Sequence, residues 1–269
     1  MRKRTLIILI VIGGVFLGLL IWAICDNKAL ELNTITVESE NLPKSFDGFR
    51  IALISDLHST EIGRGNEKLL SMLRDAKPDI IAITGDLMDC RDKDPSVAIA
   101  LGTEAVKIAP TYFVTGNHEA RLEEPLYDHL LDGLCKAGVT VLEDMEQILT
   151  KNDESISIVG HQWGPTDQIG DLTDFEGYRI LLSHHPEDFE NYVSAGYHLV
   201  LSGHVHGGQF RLPFVGGLFA PSQGLFPKYD AGMYTQGKTN MIISRGIGNS
   251  TIPLRFNNPP EIVLVVLKA

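Results

Sequence analysis

The stretch FRIALISDLH (residues 49–58) carries a run of apolar and β-branched residues into an abrupt polar ending, Asp56-Leu57-His58. A short apolar run of this kind, closed by polar residues, reads as a strand of a parallel sheet with both faces covered. The same ending recurs four times downstream: AIT into Gly85-Asp86, FVT into Gly116-Asn117-His118, ILLS into His184-His185, and LVLS into Gly203-His204-Val205-His206. In open α/β sheets ligands bind at the carboxyl ends of strands. Five strand ends are therefore predicted to meet on one rim.

Taken singly, each ending has a plain structural reading. A DxH can be an Asx turn, Gly-Asp a helix N-cap, and Gly-Asn-His a turn with Asn in a left-handed conformation. Taken together they form a set of imidazole, carboxylate and carboxamide donors with no thiolate. Such donors suit Mn, Fe, Zn, Co or Ni better than a structural zinc site, which favours cysteine. Seven donors exceed what one tetrahedral ion needs, whereas two ions sharing a bridging carboxylate would use them all.

Around these endings, strand-like runs at Ile35–Val37, Phe49–Ser55, Asp79–Thr84 and Thr111–Thr115 alternate with helix-like stretches near Asn66–Ala76, Pro95–Ile108 and Glu124–Ala137. That alternation predicts βα units and a largely parallel sheet. In the second half, strand candidates at Val139–Glu143, Ile148–Leu149, Ile156–Val159, Tyr178–Leu182, His198–Leu201, Met241–Ser244 and Ile262–Leu267 are joined by Gly- and Pro-rich connections. They predict a second sheet packed on the first.

Residues 6–24 (LIILIVIGGVFLGLLIWAI) are apolar or glycine without interruption, close to the roughly 20 residues a membrane-crossing helix needs. The MRKR before this run and the mixed charges Asp26, Lys28 and Glu31 after it orient the N-terminus inward and leave the rest of the chain outside the cytoplasm. A signal peptide has a similar layout, but Ala23-Ile24-Cys25 offers no small-x-small cleavage site, so a retained single-pass anchor in the cell membrane is expected. The chain carries a formal net charge of −11, about −14 once its three N-terminal cations are set aside. Binding of long nucleic acid, which depends on Lys and Arg displacing phosphate counterions, is disfavoured. Three scattered cysteines, at positions 25, 90 and 135, make no disulfide framework.

The blocks DLH, GDLMD, GNHE, SHHP and GHVHGG, in this order from Asp56 to Gly208, resemble the signature of the calcineurin-like metallophosphoesterase superfamily. The later stretches GHVHGGQFRLPF, APSQG, PKYDAGMY, SRGIGNS and PLRFNNPPEIVLVVL resemble its bacterial membrane-associated YkuE/YaeI-like phosphodiesterase branch. The resemblance implies an α/β fold of four layers, an αββα sandwich, preceded by the transmembrane helix. It implies two divalent metal ions, manganese first among the metals named above. Asp56, His58 and His206 would hold one ion, Asn117, His184 and His204 the other, and Asp86 would bridge them. His184 is preferred to His185 because it follows directly from its strand. His118 would protonate the leaving oxygen or stabilise developing charge, with Asn117 and His118 contacting the substrate, and Glu119 or another acidic residue would orient the His118 ring.

The expected domain organisation is an anchor at residues 1–25, a connector with a first strand at 26–48, and a catalytic domain at 49–269. The expected activity is that of a phosphodiesterase or pyrophosphatase, in which hydroxide held between the two metals attacks a small phosphorylated or lipid-linked substrate. A metal-binding scaffold without activity would be expected to have lost a ligand or the histidine of GNH, and this chain keeps them all. His129 and His198 are read as structural; His161 is read as a packed or surface histidine, with a place at the cleft border as the alternative, and Arg245 either contacts a substrate phosphate or closes a loop of the fold.

Overall fold

In this computed structural model the described residues are 3–166, 169–249 and 253–269; Arg2 of the basic flank and Ser250 of SRGIGNS lie outside them. The elements run α1 (Lys3–Asp26), β1 (Glu31–Glu38), β2 (Arg50–Ile54), α2 (Glu67–Ala76), β3 (Ile80–Thr84), α3 (Ser96–Ala105), β4 (Thr111–Val114), α4 (Glu124–Ala137), β5 (Thr140–Val141), β6 (Met145–Lys151), β7 (Glu154–His161), β8 (Tyr178–Ser183), α5 (Phe189–Ser194) and β9 (Leu199–Ser202). Four two-residue strands follow, β10 (Arg211–Leu212), β11 (Gly216–Gly217), β12 (Phe219–Ala220) and β13 (Gly224–Leu225), and then β14 (Gly232–Gln236), β15 (Thr239–Ile243) and β16 (Glu261–Lys268).

The first sheet has the order β1-β16-β2-β3-β4-β5 and the second β14-β15-β9-β8-β7-β6. Strands β2 to β5 are parallel, as are β7, β8, β9 and β15, while β6 and β14 add antiparallel edges to the second sheet. Two strand candidates of the second half, near residues 139–143 and 262–267, join the first sheet instead of the second. β16 inserts between β1, to which it is parallel, and β2, to which it is antiparallel. An apolar run of eight residues suits any central position, so local pattern could not decide which neighbour it takes.

Because side chains alternate across a strand, each sheet packs on two sides. Ile51 and Leu53 of β2 meet Ile156 and Ile158 of β7, Ile180 and Leu182 of β8, and Val263 and Val265 of β16 in the core between the sheets. Ala52 and Ile54 point the other way, onto Leu69, Leu70 and Leu73 of α2 and Leu130 and Leu134 of α4. Helix α2 buries that stripe because its leucines recur at helical spacing. On the outer side of the second sheet Leu181, Val200, Met241 and Ile243 pack against Phe189 and Tyr192 of α5 and against Tyr229. The layers are thus helix, sheet, sheet, helix, the αββα sandwich that the resemblance implied.

Helix α1 has 24 residues, about 36 Å at 1.5 Å per residue, against a hydrocarbon core of about 30 Å. Among the described residues it is the one helix long and apolar enough to cross a membrane, and Ile8, Phe16 and Leu17 along it are exposed. Its last turn meets the rest of the protein: Ala23 is buried, Trp22 packs edge-on against Phe256 with ring centroids 4.7 Å apart, and Asp26 accepts the Asn258 N–H at 2.8 Å.

Candidate metal centre

Asp56 and His58 follow β2, Asp86 follows β3, Asn117 and His118 follow β4, His184 follows β8, and His204 and His206 follow β9. Among them Asp56, His58, Asp86, His204 and His206 have positive φ, between 46° and 73°. A left-handed conformation costs a non-glycine residue roughly 1–2 kcal/mol, so strain is stored at three of the five strand ends, those of β2, β3 and β9. Close approach is also enforced by Gly203, where a Cβ would collide with Ser55 Oγ and Asp56 Oδ2.

The donors converge. His58 Nε2 lies 3.1 Å from His206 Nε2, and Asp56 Oδ1 stands 3.9 Å from the first and 3.5 Å from the second. Asp86 Oδ2 lies 3.7 Å from His58 Nε2 on one side and 3.2 Å from His184 Nε2 on the other. Asp86, His184 and His204 form a second group with donors within 4.8 Å of one another. Two donors bound at about 2.1 Å to one ion stand about 3.0–3.4 Å apart at ordinary ligand angles, close to the separations found here. Asn117 is buried and its Oδ1 has no hydrogen-bond partner, while His184 Nε2 faces the Asp86 carboxylate at 3.2 Å. Buried acceptors are rarely left unpaired. The donor set therefore fits divalent metal ions, with Asp86 facing both groups.

Electrostatics agree with that fit. Burial pulls the His58 imidazole down to about 4 and that of His204 to about 3, and takes His206 well below the ordinary range, so all three are neutral at pH 7 with lone pairs available. Burial raises Asp56 to about 6. Burial alone would lower His184, but the adjacent Asp86 carboxylate outweighs it and holds the ring protonated. The same histidine overcomes burial at Asp86 and keeps that carboxylate ionised. Since His184 Nδ1 meets the Thr84 carbonyl at 2.6 Å, Nε2 is the nitrogen whose proton an ion would displace. Metal uptake at pH 7 is accordingly expected to release about one proton, so that affinity rises about tenfold per pH unit near neutrality and falls further below pH 6, where Asp56 also protonates. Calorimetric titration with manganese in buffers of different ionisation enthalpy measures that proton.

Several groups around the donors were not legible as site residues. Glu119 does not face the His118 ring; it is fully buried and accepts the backbone N–H groups of Asp86 (2.8 Å), Met88 (3.0 Å) and Gly116 (2.8 Å), binding two strand-end loops together. The carboxylate near His118 is Asp89, 3.7 Å from its Nδ1 and 3.9 Å from His58 Nδ1, itself clamped by Arg91 at 2.6 Å. The Cys90 N–H donates to His118 Nδ1 at 3.1 Å, so the neutral ring carries its proton on Nε2. Trp163 stacks on His185 with ring centroids 3.7 Å apart and 12° between planes, which turns His185 aside while its neighbour His184 enters the donor group. Ser222 Oγ sits 3.3 Å from His204 Nε2, leaving Nδ1 of that ring for an ion. His161 pairs with Asp144 at 2.8 Å, and Arg245 with Glu31 and Glu261 at 3.0 and 2.8 Å.

Two facing mixed sheets whose strand ends gather histidines and aspartates into clusters that could hold metal ions are the arrangement that the resemblance to metallophosphoesterases implies. A family model for calcineurin-like phosphoesterase matches residues 49–208, and the chain belongs to that family. It is 31% identical to the metallophosphoesterase YkuE of Bacillus subtilis, over 89% of this chain and 86% of that one. It is 30% identical to the phosphodiesterase YaeI of Escherichia coli, over 81% of this chain and 82% of that one. These relatives place it in the bacterial YkuE/YaeI-like branch. Among solved structures, TT1561 of Thermus thermophilus shares the fold, with a TM-score of 0.50 at 13% identity over 74% of this chain and 90% of that one.

Proposed function

We propose that this protein is a membrane-anchored phosphodiesterase or pyrophosphatase that depends on two divalent metal ions and acts outside the cytoplasm on a small phosphorylated or lipid-linked substrate. The observation that carries the reading is the position of Asp86 Oδ2, 3.7 Å from His58 Nε2 and 3.2 Å from His184 Nε2, between two groups of buried imidazole and carboxylate donors. Asp56, His58 and His206 would hold one ion and Asn117, His184 and His204 the other, with Asp86 common to both. Two ions so held, manganese in the first instance, would supply the activated water and the charge neutralisation that phosphoester hydrolysis requires.

The remaining work falls to the chain. His118 presents Nε2–H to the leaving oxygen, because the Cys90 N–H occupies Nδ1, and the His118 N–H, donating to Asp86 Oδ1 at 2.9 Å, ties the ring to the shared carboxylate. Burial lowers the His118 imidazole, so at neutral pH the neutral ring stabilises charge developing on the leaving oxygen through an Nε2–H hydrogen bond. His118→Gln is expected to lower kcat about 10²–10³-fold, the usual cost of losing one preorganised hydrogen-bond donor to developing charge, while two ions stay bound. Metal analysis alongside the kinetics separates this from loss of the centre. The basic MRKR flank, followed by α1, supports an inward N-terminus and an outward catalytic domain.

The test is hydrolysis of bis-p-nitrophenyl phosphate and p-nitrophenyl phosphate by the full chain in detergent, stripped of metal and then resupplied with manganese. Cleavage of the diester only with metal supports the reading. A folded protein that binds two ions yet cleaves neither this diester nor a pyrophosphate such as a nucleoside diphosphate sugar contradicts it.

A further inference from the structure

Between Arg211 and Lys228 there is no charged side chain, in a chain of which 21% of residues are charged. That run folds into two small hairpins, β10–β11 and β12–β13, and leaves Leu212, Phe214, Val215, Phe219, Leu225 and Phe226 each at least 40% exposed, Phe214 completely. So concentrated an apolar surface is unusual on a soluble monomer and marks a place of contact.

Its surroundings identify the occupant. The Arg211 N–H donates to the Phe256 carbonyl at 2.9 Å, Phe210 bridges to Phe256, and Phe256 packs on Trp22 near the end of the apolar helix α1. Asn249 Nδ2 donates to Asn27 Oδ1 at 3.1 Å just past the same helix end. The flap thus begins next to the point where α1 joins the domain. We propose that residues 212–227 insert their apolar side chains into the surface of the bilayer that α1 crosses, as a second membrane contact that seats the metal centre at headgroup depth.

The second hairpin tip supports this placement, because Ser222 touches His204: one flap borders both the lipid and the donor cluster. A phosphate carried by a lipid would then reach the centre without leaving the membrane. The contact is apolar rather than electrostatic. The flanking cations are engaged, Arg211 with Asp230 at 3.0 Å and Lys228 with Glu190 at 3.2 Å, and the net charge of −11 would repel anionic headgroups. Insertion therefore requires no anionic lipid and does not weaken as salt is raised.

The inference rests on α1 being a membrane anchor, and the test keeps the two apart. The full chain is reconstituted in phosphatidylcholine nanodiscs with brominated acyl chains, which quench tryptophan only within the lipid. The native tryptophans are Trp22 and Trp163, so quenching of the unmodified chain reports α1. Phe214→Trp and Phe226→Trp report the flap, and Lys151→Trp, at the exposed β6–β7 turn, serves as the control. The expected result is that the emission added by F214W and by F226W is quenched as strongly as that of Trp22, equally at low and high salt, while that added by K151W is not. If the unmodified chain is quenched but the flap variants are not, the flap proposal is overturned and the anchor stands; a doubled mass per disc would then assign the flap to a second copy of the chain. An unquenched native chain overturns both.

Discussion

Asp86→Asn is expected to lower manganese-dependent diester hydrolysis at least about 10²–10³-fold, the scale of losing one preorganised electrostatic contact at a reacting phosphoryl group. It is also expected to reduce bound metal from two ions to at most one. The substitution preserves shape and can keep the carboxamide oxygen that accepts the His118 N–H, so the loss isolates the charge at Oδ2 shared between His58 and His184. In the metal-free protein the same variant removes the anion that holds His184 protonated. Its imidazole should then become neutral at pH 7, which NMR titration of the histidine ring reports independently of any activity. Unchanged metal stoichiometry with an unchanged rate would remove Asp86 from the bridging position.

Arg255→Met is expected to lower the thermal midpoint by about 10 °C. Arg255 is completely buried. Its guanidinium donates to the Arg245 carbonyl at 2.6 Å, to the Gly248 carbonyl, and to Asn249 Oδ1 at 3.3 Å, with Nη2 3.4 Å from His206 Nδ1. Although burial lowers it to about 10, it remains charged at neutral pH. Methionine fills the volume but strands two buried carbonyls, each worth about 1–3 kcal/mol, or roughly 3–5 kcal/mol together, and for a domain of this size each kcal/mol moves the midpoint about 2–4 °C. Lysine should not rescue it, since a single ammonium cannot reproduce the fork. Because the same loop backs His206, metal affinity should also fall about 10–100-fold, the usual cost of losing a group that supports a ligand. Scanning calorimetry and competition with a chelator measure the two effects. A midpoint shift of under about 2 °C would show that the loop satisfies its carbonyls by other means.

The residues of the donor cluster were legible before the fold was. Each lies within a few positions of an apolar run, and the passage from a buried strand to polar side chains is a local event that a strand's short period makes visible. Of the acidic residues expected beside the His118 ring, Glu119 or another, it is Asp89 that stands near it, at 3.7 Å; Glu119 was misplaced because a carboxylate that accepts backbone N–H groups from a loop 31 and 33 positions away looks in sequence like one that faces a ring. Trp163 and Ser222, the latter quoted only within APSQG, carried no readable role. Their roles come from stacking on His185 and touching His204, contacts between loops that approach only when the second sheet is in place.

By itself, then, the sequence determined the strand ends, the residue types gathered at them, an α/β fold with a second sheet and the apolar N-terminal helix, because strand and helix periodicity are properties of neighbouring residues; the αββα arrangement came from the resemblance carried by the order of its short motifs. The tertiary structure alone decided that β16 enters the first sheet between β1 and β2. It decided that Arg255 stands buried behind His206, and that the uncharged flap begins beside the end of α1. Each of these joins segments far apart in the chain, and pairing at that range is selected by which faces and hydrogen-bonding edges remain open once the rest has packed, information that no local pattern contains.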